Sequence, residues 1–168
     1  MTISEPRYPL PAFPLIERPL SAVTDCIVHH SAGAPGQSAL SIDAEHRARG
    51  FAEIGYHFVV QPDGSVERGR ALREVPAAAY GRNYESVDVC LTGDYDATVP
   101  TAAAMTSLLE LLVQLHHELP ISRTIGHRDV ATTFYPADTA PYATDCPGGE
   151  LEALLPELRA KIAARLQA

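Results

Sequence analysis

Apolar residues recur along the chain at two spacings, and the switch between them separates strands from helices. Thr24 to His30, around Cys26, Ile27 and Val28, reads as a core strand. Alternation puts Asp25, Ile27 and His29 on one face and Cys26, Val28 and His30 on the other. Ser31 to Gly36 breaks it. Ser41 to Arg49 is a predicted helix, with Ser41 as N-cap and Gly50 as its stop. Tyr56 to Gln61 is the next strand, and the turn Pro62-Asp63-Gly64-Ser65 sends Val66 to Arg68 back as a hairpin partner. Val87, Val89 and Leu91 alternate through a strand over Ser86 to Thr92. Thr101 opens the strongest helical pattern, with Met105, Leu108, Leu112, Leu115 and Leu119 on one stripe and Pro120 as its end. A short strand through Thr124 and Ile125 delivers His127, and an irregular segment follows. Leu151, Leu154, Leu155, Leu158, Ile162 and Leu166 mark a terminal helix, in which Pro156 is expected only near the start.

Residues 1–20 carry Pro6, Pro9, Pro11, Pro14 and Pro19, too close together for a helix or a central strand. They predict an extended arm laid over the core by Tyr8, Phe13, Leu15 and Ile16. With no Gly/Ser linker after it, the arm belongs to one domain spanning 1–168, whose core is 22–165. Strands interspersed with helices, one hairpin included, predict an α/β fold: a mixed central β-sheet covered by helices on both faces.

A formal net charge of −8 argues against nucleic acid or an anionic membrane as partner, since both require a basic footprint. No apolar stretch approaches a membrane span, and the first 20 residues lack the pattern of a signal peptide, so synthesis in the cytoplasm is expected. Three widely spaced cysteines favour thiols or metal ligands over a disulfide framework. Cys26 and Cys90 sit in apolar runs and read as small buried hydrophobes. Cys146, between Asp145 and Pro147-Gly148-Gly149, stands in a turn. Of the histidines, His46, His116 and His117 fall on predicted helices and read as bystanders, and His57 shares a strand with Tyr56 on the opposite face. His29, His30 and His127 come at strand ends, where loops converge. Imidazoles with a thiolate form a zinc-like donor set, and three such ligands leave one position open, as in catalytic sites.

These residues carry a resemblance. Four segments match in order: Ile27-Val28-His29-His30-Ser31-Ala32; Ile54-Gly55-Tyr56-His57-Phe58 with the Asp63-Gly64 turn; Ser86 to Gly93; and Gly126-His127-Arg128-Asp129 with Cys146-Pro147-Gly148. The chain resembles the zinc-dependent N-acetylmuramoyl-L-alanine amidases, the family of bacteriophage lysozyme-type amidases and peptidoglycan recognition proteins. The resemblance implies a Zn2+ cofactor held by His29, His127 and Cys146, with His30 a neighbour. It implies that Tyr56 is the active-site tyrosine and that Thr144 stands where relatives carry a catalytic lysine or threonine. The reaction implied is hydrolysis of the amide between N-acetylmuramic acid and L-alanine of the stem peptide, in peptidoglycan or its fragments, by a monomer. Zinc suits it, because the metal acidifies water and polarises a carbonyl, while a tyrosine is a neutral donor at pH 7.

Three other readings stay open at this level. One is a cytosolic enzyme recycling anhydromuropeptides, although such enzymes usually carry aspartate where Cys146 stands. Another is a non-catalytic peptidoglycan-binding module, whose family members commonly lose the cysteine. The last is a structural zinc, which needs a fourth protein ligand and has His30 as candidate. The lysin reading expects release from the cytoplasm to the cell wall through a membrane lesion. Two features depart from the family pattern. The stretch from His127 to Cys146 is long, and its Thr133 to Tyr142 carry aromatic residues that predict a stiff wall beside the metal for sugar or peptide. The surface is acidic, so a patch of Arg68, Arg70, Arg73 and Arg82 would be needed to favour an anionic wall.

Overall fold

A computed structural model describes residues 2–168. Six strands form a single sheet: β1 (Ile3–Ser4), β2 (Asp25–His30), β3 (Phe58–Val60), β4 (Val66–Arg68), β5 (Ser86–Leu91) and β6 (Arg123–Gly126), in the order β1-β4-β3-β5-β2-β6. β2 runs parallel to β5 and β6, β3 to β5 and β1 to β4, and among these strands only the β3–β4 hairpin is antiparallel. The sheet is therefore mixed, and its centre is parallel.

Alternation along the central strands builds two different faces. Cys26, Val28, Phe58, Val60, Val87, Val89 and Leu91 pack against α2 (Ala102–Glu118) and α4 (Gly149–Leu166). Leu108, Leu111, Leu112 and Leu115 supply the buried stripe of α2, and Leu151, Leu155, Leu158 and Ile162 that of α4. The opposite face is shared between α1 (Ala39–Ala48), over Val59 and Ile54, and α3 (Asp129–Phe134), over Ile27 and Ile125. That second face also carries buried polar groups: Asp25, His29, Ser86 and Asp88.

Several elements differ from expectation, each for a local reason. Ser38, not Ser41, caps α1; its hydroxyl accepts the Ser41 N–H at 3.2 Å. The third strand is shorter than predicted, so Tyr56 lies outside its ladder. The segment after β6 is not wholly irregular, because α3 and a 3₁₀ turn at Ala140–Tyr142 occupy part of it. Pro156 sits well inside the 18-residue α4 rather than at its start. It is exposed, so the Glu152 carbonyl it leaves unpaired can reach water. The N-terminal arm is tied down by Ile3–Ser4 pairing with β4 and by Tyr8, whose hydroxyl donates to the Arg68 carbonyl at 2.5 Å. The Phe13 and Ile16 side chains are 53% and 68% exposed, and Ile16 helps through its carbonyl instead, which accepts the Val75 N–H at 2.8 Å.

His57 is fully buried between the strands. Its Nδ1 accepts the Asp88 N–H at 3.0 Å, which leaves Nε2–H to donate to the Glu74 carbonyl at 3.0 Å. Burial lowers its pKa to about 4, below the ~6.5 of an unfolded histidine. Between those values only the unfolded chain takes up this proton. The contribution is fully present above about pH 6.5 and is lost as pH falls toward 4, up to about 3 kcal/mol. Urea unfolding should therefore show a lower midpoint at pH 4.5 than at pH 7, with a clearly smaller drop in His57→Gln. An equal drop in both proteins would assign the acid sensitivity elsewhere.

Candidate metal centre

β2 and β6 lie side by side, with β6 ending opposite Val28 and β2 running on to His30, at the edge where open α/β sheets gather their ligands. His29 is near the end of β2 and 1% exposed. His127 follows β6 directly, its backbone N–H donating to the Val28 carbonyl at 3.1 Å. Cys146 returns to the same rim on a turn whose carbonyl accepts the Arg128 N–H at 2.8 Å. Gly148 makes that turn possible. It has φ of 91°, and a Cβ there would lie 2.3 Å from the Tyr95 carbonyl carbon.

The three donors converge. Cys146 Sγ is 3.6 Å from His29 Nδ1, the His29 and His127 ring centroids are 4.7 Å apart, and all three ligand atoms lie within 4.8 Å of one another. A tetrahedral zinc with bonds of about 2.0–2.1 Å to nitrogen and about 2.3 Å to sulfur separates such ligands by roughly 3.6 Å. The donor set fits one ion. His30 is not part of it: its Nδ1 accepts the Tyr95 N–H at 3.2 Å. A closed, structural four-ligand site built on His30 therefore loses its candidate.

Asp88 completes the arrangement, and sequence reasoning missed it. Fully buried on β5, its carboxylate lies 2.6 Å from His29 Nε2 and accepts the Ser86 hydroxyl at 2.5 Å. Taking the Nε2 proton fixes the tautomer and leaves the Nδ1 lone pair facing Cys146, the carboxylate–imidazole pairing found behind metal-ligating histidines. Burial opposes charge on both partners. It is outweighed at His29 by the negative charges of Cys146 and Asp88, which raise its pKa to about 9. At Asp88, the hydrogen bond and charge of His29 hold the carboxyl below its ordinary range despite burial. Burial and the charged His29 lower His127 to about 3, so it stays a neutral donor. Without metal the pocket thus keeps a proton on His29, which an incoming cation must displace. The signal for Asp88 was a lone carboxylate at the centre of an apolar alternation.

Around the donors lies an open cleft of about 450 Å³. Tyr56 lines it, with its ring 5.2 Å from that of His29. Burial pushes its phenol well above the usual tyrosine value, so it remains a proton-bearing donor. Thr144 is also at the cleft, where its hydroxyl oxygen accepts the Cys146 N–H at 3.2 Å and so shapes the turn. His46, read from its helix as a bystander, lines the cleft too. Its ring lies 5.4 Å from that of Tyr56, and its Nδ1 accepts the Gly55 N–H at 2.9 Å, leaving Nε2–H as a second neutral donor. Burial lowers its pKa to about 4. His116 keeps the expected role away from the cleft, 3.0 Å from the Thr124 hydroxyl.

The family model for N-acetylmuramoyl-L-alanine amidase matches residues 19–149, a span that contains all three donors, Asp88 and Tyr56. The chain belongs to that amidase family. It is 38% identical to the endolysin of Enterobacteria phage T3 over 125 residues, 69% of this chain and 82% of that protein. It is 37% identical to the endolysin of Escherichia phage T7 over 123 residues, 68% of this chain and 81% of that one. Among solved structures it resembles the amidase LysC from Clostridium intestinale URNW, with TM-score 0.82 and 28% identity, covering 97% of this chain and 98% of that one. As an N-acetylmuramoyl-L-alanine amidase, it hydrolyses the bond between N-acetylmuramic acid and L-alanine in peptidoglycan or its fragments. Of the four arginines considered above, Arg73 is exposed and the other three are engaged. Arg70 is buried against the Ile54 and Val75 carbonyls, Arg82 pairs with Asp25 at 2.6 Å, and Arg68 lies over Phe58 with Glu5 at 3.5 Å.

Proposed function

We propose that this amidase works with one zinc ion held by His29 Nδ1, His127 and Cys146 Sγ, and that it acts on the intact cell wall after release from the cytoplasm. The observation that carries the metal assignment is the placement of His29, with Nε2 2.6 Å from the Asp88 carboxylate and Nδ1 3.6 Å from Cys146 Sγ. The general zinc dependence of the family supports it. When bound, zinc supplies an acidified water and a Lewis acid for the amide carbonyl. The remaining work falls to the protein. Asp88 keeps His29 in its ligating tautomer. Tyr56, with its proton secured by burial, donates to the carbonyl oxygen as negative charge develops there. His46 Nε2–H, with its ring 5.4 Å from that of Tyr56, orients the peptide. Thr144 holds the Cys146 turn through its oxygen and keeps its own proton available to the cleft.

Tyr56→Phe should keep the zinc and lose roughly a hundredfold in kcat, the scale of one missing oxyanion donor. Metal analysis and single-turnover kinetics on muramoyl-peptide check this, and an unchanged rate would return Tyr56 to a packing role. For the substrate form, turnover on intact sacculi should exceed that on soluble anhydromuropeptide at equal stem concentration. The reverse order would favour a recycling enzyme. The similarity to phage endolysins, and a cysteine rather than an aspartate at position 146, support the wall as substrate.

A further inference from the structure

The long segment between His127 and Cys146 supplies two tyrosines of a stack of three. The Tyr135 and Tyr142 rings lie 3.7 Å apart and within 8° of parallel, and Tyr80 stacks on Tyr142 at 5.5 Å and 20°. The Tyr135 hydroxyl donates to the Gly81 carbonyl at 2.5 Å. Gly81 permits this closeness: its φ is 83°, and a Cβ there would lie 2.6 Å from the Tyr142 ring. The inner pair thus fastens the inserted segment to the 80–85 loop. Tyr80 is not needed for that fastening. It is the outer leaf, 70% exposed, and Tyr84 nearby in sequence is 47% exposed.

We propose that the outer tyrosine of this stack, Tyr80, is a binding platform for the glycan strand that carries the stem peptides. This rests on the reading of the cleft as the place where the muramoyl amide is cleaved. The stack is continuous with that cleft: Tyr80 is two residues from Ala78 and Tyr142 two residues from Thr144, both of which line it. Two extended residues span at most about 7 Å, so the platform stands at the rim. A strand whose lactyl group enters the cleft has room to run its neighbouring sugars over that rim. The chemistry matches as well. A pyranose has a flat face of C–H groups ringed by hydroxyls, which complements an aromatic face with a phenol at its edge. Tyr80 is held by Tyr142 without being covered, so little side-chain freedom is lost on binding. Recognition through ring faces needs no basic patch, in keeping with a chain of net charge −8 whose nearby Arg82 is already paired with Asp25.

The test is sedimentation of the full-length protein with glycan strands stripped of their stem peptides, which contain no scissile amide. Wild type and Cys146→Ser should bind alike, and Tyr80→Ala should bind roughly three- to tenfold more weakly, the scale of one aromatic face. In hydrolysis, Tyr80→Ala should raise KM on sacculi by the same factor and leave kcat/KM on a single-sugar muramoyl-peptide unchanged. No binding of wild type to stripped strands, equal binding by Tyr80→Ala, or an equal rate loss on both substrates would overturn the platform. Loss of hydrolysis by wild type with strand binding intact would instead overturn the reading of the cleft.

Discussion

Cys146→Ser should abolish release of stem peptide from sacculi and weaken zinc binding by more than about a hundredfold. A neutral hydroxyl replaces a thiolate at a site with only two other protein donors, and a lost ligand must cost more than the 10–100-fold typical of outer partners. The fold should survive. Cys146 is only partly buried, on a turn held by the Arg128 and Gly148 backbone N–H groups, each at 2.8 Å from its carbonyl acceptor. Equilibrium zinc competition and a urea midpoint for the metal-free variant separate ligand loss from unfolding. Full zinc retention with full turnover would remove Cys146 from the site.

Asp88→Asn is the second large effect, and it acts at a distance from the substrate. The amide is nearly isosteric, and Ser86 can turn its hydroxyl from donating to accepting, so packing is retained. The carboxylate charge that makes His29 a stronger base disappears, and an amide turned the other way would present a donor to Nε2 and favour the tautomer with Nδ1 protonated. Zinc affinity and kcat should both fall about 10–100-fold. Asp88→Ala should be worse, because a buried His29 N–H then lacks a partner. If Asp88→Asn bound zinc as wild type does, the carboxylate would be only a packing element between β2 and β5.

How much of this was legible along the chain depends on the range of the interaction. The β3–β4 hairpin, the stripe of α2 and the alternation of β2 and β5 are local patterns, and the molecule follows them. Strand ends and a Cys-Pro-Gly turn marked His29, His30, His127 and Cys146 as candidates, and the family resemblance chose His29 over His30. Asp88 could not be marked in this way, since its meaning depends on a strand pairing that sets β5 against β2, 59 residues from His29. His46 was set aside for a similar reason. Its helix pattern is ordinary, and only the Gly55 backbone and the Tyr56 ring make its other nitrogen a cleft donor. The tyrosine stack was visible as an aromatic insertion, but its third member, Tyr80, comes from a loop more than fifty residues earlier.

The most direct measurement is zinc content and product profile on one preparation. The purified chain should carry one zinc, release free stem peptide from sacculi with the glycan intact, lose that activity on chelation and regain it when zinc is restored. Bound zinc without stem-peptide release, or release that continues after chelation, would contradict the account.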